Sequence, residues 1–114
     1  MSSERELLDA WLAGAGPAPD RGTVKAAVKE SLQELVARAP GHSVEVRIPP
    51  FGAVQCIEGP RHTRGTPPNV LEATPQTWLA LVVGALTWDD ARAAGKLSVS
   101  GSRAGEVAAL LPLV

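Results

Sequence analysis

The sequence predicts a small α+β domain with an unusually apolar C-terminal half. Three observations carry that expectation. Apolar residues recur at helical spacing from Thr23 to Ala39, and they alternate at strand spacing from His42 to Ile48. From Thr74 to Val114 the chain then reads helix, helix, strand and helix with scarcely a residue spent on loops. A chain of 114 residues buries a real core without metals or disulfides.

Glu4 to Ala13 reads as a short helix, with Leu7, Leu8, Trp11 and Leu12 at helical spacing and Ser2 or Ser3 as cap. Gly14 to Gly22 holds three Gly and two Pro in nine residues and reads as a linker. Residues 1–22 are therefore expected to form an N-terminal helix and linker, and 23–114 the domain proper. Whether the first helix is a free arm or packs back is open at this stage.

The second helix opens at Thr23. Val24, Val28, Leu32, Leu35, Val36 and Ala39 form one stripe, with Lys25, Lys29, Glu30, Gln33, Glu34 and Arg38 opposite. Pro40-Gly41 ends it. His42 to Ile48 alternates Val44, Val46 and Ile48 with Glu45 and Arg47, a strand with one wet face. Pro49-Pro50 places a turn or a sheet edge next. Ala53 to Ile57 is a second strand, Gly59 to Pro68 a loop, and Asn69 to Ala73 a third short strand.

Thr74 caps a helix with Pro75 at its first position, where a missing N–H costs nothing. Trp78, Leu79, Val82, Val83 and Leu86 take up well over half of its circumference, so it must be covered on most sides. Thr87 caps a short helix to Ala94, with Asp89 and Asp90 favouring its N-terminal dipole. Lys96 to Ser100 is a strand, Ser102 to Leu111 a closing helix carrying Val107, Leu110 and Leu111, and Pro112 stops it.

Eleven Lys and Arg against 12 Asp and Glu give a net charge of −1, without the basic excess of nucleic-acid modules. The single Cys fits a reducing compartment, the N-terminus lacks the apolar core of a signal peptide, and no apolar run reaches membrane-spanning length. A cytoplasmic protein is expected. Two His and one Cys fit no zinc spacing, and no nucleotide-binding glycine motif is present. Neither metal nor cofactor is therefore expected. Cys56 with His42 or His62 has no third orienting group, and a lone Cys in an apolar strand is usually a packed residue, so no catalytic residue is expected.

The segment GALTWDDARAAGKLSVSGSRAGEVAALLPL resembles the C-terminal signature of the sterol carrier protein type-2 family, through Gly84, Leu86, Asp90, Ala91, Gly95, Lys96, Leu97, Gly101, Leu110, Leu111 and Leu113. The likeness runs from Thr23 to Val114. Pro49 to Val70 is similar to the central block of a small bacterial branch, the sterol carrier family proteins. The resemblance implies a mostly antiparallel sheet of four to five strands with helices packed on one face. It also implies an apolar tunnel for fatty acyl chains, acyl-CoA or other lipids, without catalysis. Four strands are countable where the family has five, so either Gly59 to Pro68 holds one or the tunnel is smaller.

On that reading Trp78, Leu79, Val82, Val83, Leu86, Leu97 and Val99 are the candidate wall of a ligand cavity. Val107, Leu110, Leu111 and Leu113 are its candidate lid. The alternative is that these side chains pack only against one another. Arg61, His62, Thr63 and Arg64 form a candidate head-group loop, since guanidinium forks suit carboxylate or phosphate. Equally, Glu58 could pair with Arg61 or Arg64 and make the cluster structural. The rival function is an interaction module with a filled core, accessory to an enzyme partner.

Overall fold

A computed structural model describes residues 3–59 and 69–114. In order these form α1 (Glu4–Leu12), α2 (Arg21–Arg38), β1 (Val44–Ile48), β2 (Gly52–Cys56), β3 (Val70–Glu72), α3 (Pro75–Val82), α4 (Trp88–Ala93), β4 (Ser98–Ser100) and a closing 3₁₀ helix (Ala104–Leu110). The strands make one open sheet in the order β2-β1-β3-β4. β1 and β2 form an antiparallel hairpin, β1 runs parallel to β3, and β3 pairs antiparallel with β4. This is an α+β fold with a mostly antiparallel sheet and helices packed against it.

Alternation holds in β1. Val44, Val46 and Ile48 are fully buried, while Glu45 and Arg47 lie half-buried on the other side and pair with each other. The prolines expected at a turn or an edge stand in the β1–β2 turn, which Phe51 N–H closes onto Ile48 C=O at 2.9 Å. The strands are shorter than expected at several ends, as at β4, where pairing starts with Ser98 opposite Glu72.

Helix α2 begins earlier than its periodicity suggested. Asp20 is the cap, accepting from the Thr23 backbone N–H at 2.9 Å and from its hydroxyl at 3.0 Å. These bonds hold the Asp20 carboxyl below its ordinary pKa. Two residues assigned to the linker, Arg21 and Gly22, are thus helical. The stripe of Val24, Val28, Ser31, Leu32 and Leu35 is buried.

Helix α3 is capped by Thr74 as expected, and every residue from Thr77 to Val82 is buried. It stops short of Leu86. Gly84 adopts φ +78°, and Ala85 N–H and Gly84 N–H turn back to Ala80 C=O (2.9 Å) and Leu81 C=O (3.3 Å). That pair of bonds closes the helix end with glycine in the left-handed conformation. Leu86 therefore lies beyond α3 and is half-buried.

The closing helix expected over Ser102 to Leu111 spans Ala104–Leu110 and is a 3₁₀ helix. Ala104, Val107 and Leu110 are three residues apart, and three residues per turn aligns them on one side. Ala104 and Val107 are fully buried there. Helix α1 packs back onto α3, where Gln76 Nε2 donates to Trp11 C=O at 3.1 Å, although no residue of α1 is fully buried.

Candidate functional site

Among the described residues α3 contributes Trp78 to the hydrophobic core that it shares with α2 and the sheet. Trp78 is fully buried, and its indole N–H donates to Ser31 Oγ at 2.8 Å. Ser31 Oγ in turn donates to Val28 C=O at 2.7 Å, inside α2. Trp78 belongs to one buried core cluster with Val28, Val44, Val46, Ile48, Leu71 and Val107, none of them exposed.

An open groove of about 530 Å³ lies instead on a neighbouring stripe of α3. Its walls are α1, α2, α3 and the C-terminal segment. Leu8 and Leu12 come from α1, Ala27 and Ser31 from α2, Leu79 and Val82 from α3, Val83 from its C-cap, and Leu113 from the C-terminal segment. The volume falls inside the ~300–1,000 Å³ of small-molecule sites. Charged side chains surround this apolar floor: Glu4, Arg5 and Asp9 on α1, and Glu30, Glu34 and Arg38 on α2. Arg5 pairs with Asp9 at 3.5 Å and Arg38 with Glu34 at 2.8 Å.

The C-terminal segment, expected to act as a lid, is pinned in place. Leu113 N–H and Val114 N–H both donate to Val82 C=O, at 2.9 and 3.2 Å, and Arg38 Nη2 donates to Leu113 C=O. Leu113 is buried and belongs to the floor of the groove.

Of the residues singled out from sequence, the groove gathers Leu79, Val82, Val83 and Leu113. Trp78 and Val107 belong to the filled core, and Leu111 and Val99 pack half-buried against it, Val99 opposite Leu71. Leu97 lines a recess beside Glu72 and Lys96, and Leu110 another beside Ala39 and Ile57. The groove residues that sequence reasoning missed are Leu8, Leu12, Ala27 and the charged set of α2. Their signal was present: Ala27, Glu30, Ser31, Glu34 and Arg38 recur at i, i+3/i+4 beside the buried stripe of α2.

The candidate head-group loop of Arg61, His62, Thr63 and Arg64 lies outside the described residues. Its two flanks are described, and Arg103 ties them together. Arg103 Nη2 donates to Glu58 C=O at 2.8 Å, and its backbone N–H donates to Asn69 Oδ1 at 3.0 Å. Asn69 Nδ2 continues to Ser43 C=O at 2.9 Å. Glu106 hydrogen-bonds the Arg103 guanidinium, which raises the arginine's pKa and lowers its own.

Cys56 is fully buried at the end of β2, and burial pushes its thiol up to about 11. His42 is turned to Gln55, with Nδ1 2.8 Å from Oε1. Among the described residues no group of three metal-ligating side chains assembles, and no helix is long and apolar enough to cross a membrane.

The fold and the groove define an α+β domain with an apolar recess walled by helices. A family profile described as "Bacterial SCP ortholog" matches residues 20–113, so the chain belongs to this bacterial sterol-carrier-protein-like family. A comparison with curated proteins finds no significant match.

Proposed function

We propose that the protein binds an apolar small molecule, without catalysis, in the groove between α1, α2 and α3. One observation carries the reading: a recess of about 530 Å³ whose floor is Leu8, Leu12, Leu79, Val82, Val83 and Leu113. An apolar chain laid there removes its own surface and that of the floor from water, at about 25 cal/mol per Å². Membership of a carrier-like family supports the same reading. The domain proper is the segment after the linker. Helix α1 lies outside the matched residues and supplies one wall of the groove.

Titration calorimetry with dodecanol, together with native mass spectrometry, tests the reading. Saturable binding of one molecule per chain is expected. Flat titrations and apo protein alone would overturn it.

A second reading is favoured by a specific observation. Among the described residues Trp78 is fully buried and bonded to Ser31 of α2, as a non-catalytic interaction module with a filled core requires. In that case the groove holds a segment of a protein partner, and small apolar chains do not saturate it.

A further inference from the structure

The apolar floor says nothing about the polar end of its occupant; the charges around it do. The groove is lined by four carboxylates, from Glu4, Asp9, Glu30 and Glu34, against two guanidiniums, from Arg5 and Arg38. Both guanidiniums are engaged. Arg5 reaches Asp9, while Arg38 holds Glu34 and the Leu113 carbonyl. Among the described residues no ion pair forms at Glu4 or Glu30.

Glu4 has a structural reason to be acidic, since it stands in the first turn of α1, where the helix dipole favours a negative charge. Glu30 has none within its helix. It stands in the middle of α2, four residues before Glu34, and like charges at that spacing disfavour a helix.

We infer that the groove takes a single-chain amphiphile with a cationic, amine-type head, and that it disfavours an anionic one. The inference rests on the groove being a ligand site, as proposed above. The alkyl chain lies on Leu79, Val82 and Val83, and the ammonium group stands near Glu30 at the rim. A carboxylate or phosphate head in the same place meets net negative charge and finds both guanidiniums already paired. Electrostatic complementarity of this kind sets specificity more than raw affinity.

The test compares dodecylamine, dodecanol and dodecanoate on the full chain, each below its micelle-forming concentration, by calorimetry at low and high salt. Dodecylamine is expected to bind about tenfold more tightly than dodecanoate, with dodecanol between them. The gap should narrow as salt screens the rim. The substitution Glu30→Gln, on an exposed position, is expected to shrink the amine-over-acid preference several-fold.

Equal or tighter binding of dodecanoate overturns the charge inference and leaves the groove reading intact. An unchanged preference in the Glu30→Gln protein overturns it as well. If none of the three compounds binds, the groove reading itself fails and the inference falls with it.

Discussion

The indole N–H of Trp78 reaches the hydroxyl of Ser31 at 2.8 Å, and this bond joins α3 to α2 inside an otherwise apolar core. Ser31 is an unexpected residue on a buried helical face. Its hydroxyl gives a buried donor on α3 its only hydrogen-bond partner among the described residues. Replacing it with Ala leaves the indole N–H without an acceptor, which costs about 1–3 kcal/mol. Denaturant unfolding of Ser31→Ala measures this, and an unchanged midpoint would contradict the role. In Trp78→Phe the donor is removed as well, so adding Ser31→Ala there should cost clearly less.

Gly41 and Ile57 form a second close approach. Gly41 has φ +148°, and a Cβ added there would overlap the Ile57 carbonyl. Ile57 itself is β-branched with φ +69°, a conformation rare for such residues. It is held there by bonds from its N–H to Ala39 C=O at 2.7 Å and from Ser43 N–H to its C=O at 3.1 Å. Gly41→Ala is expected to destabilise the protein by about 2 kcal/mol or more, read as a fall in thermal midpoint. The conformation at Ile57 should ease with glycine. Ile57→Gly therefore loses less than truncation of a side chain packed on the core normally would.

Cys56 should be slow to alkylate in the native state near neutral pH, because burial raises its thiol to about 11 and its thiolate is scarce. Rapid labelling of folded protein would contradict this. The sign of the pH effect follows from the raised value. The unfolded chain releases the thiol proton near 9.0 and the folded chain near 11, so this contribution to stability is intact below 9 and lost as pH rises through 11. Cys56→Ala should flatten the alkaline limb of the stability profile.

Val83 is half-buried on the groove side of α3, which makes it the position to close the site with least harm to the core. Val83→Trp should keep the native circular dichroism and weaken dodecanol binding at least about tenfold by occupying the recess. Full retention of binding would place the ligand elsewhere.

Much of the fold was legible because local patterns and tertiary packing agree. The alternation of Val44, Val46 and Ile48, the Thr74-Pro75 start of α3 and the Thr87 cap are short-range signals, and each stands where the sequence put it. The start of α2 was misread because Thr23 and Asp20 are both good caps, and only the chain's path makes Asp20 the acceptor. The closing helix falls inside the expected Ser102 to Leu111, and its 3₁₀ form is carried by Ala104, Val107 and Leu110, a three-residue spacing of which the apolar stripe showed only the last two.

The groove was the least legible feature. It depends on how α1 lies against α3, and residues of that nine-residue helix are separated from Leu79 by some seventy positions of sequence. The family resemblance implied an apolar site, and of its expected wall and lid Leu79, Val82, Val83 and Leu113 line the groove. Periodicity marks a side chain as covered without saying by what.

The buried indole has one more consequence. The chain has three tryptophans and no tyrosine, so its ultraviolet emission belongs to Trp11, Trp78 and Trp88 alone. Trp78 is fully buried in the apolar core and supplies a blue-shifted component. Trp11, at the end of α1 and half-exposed, reports the docking of that helix. The protein thus carries its own spectroscopic reference and its own indicator on the same chain. With Trp88 replaced by Phe, a shift in the red part of the spectrum alone registers movement of α1 while the core stays silent.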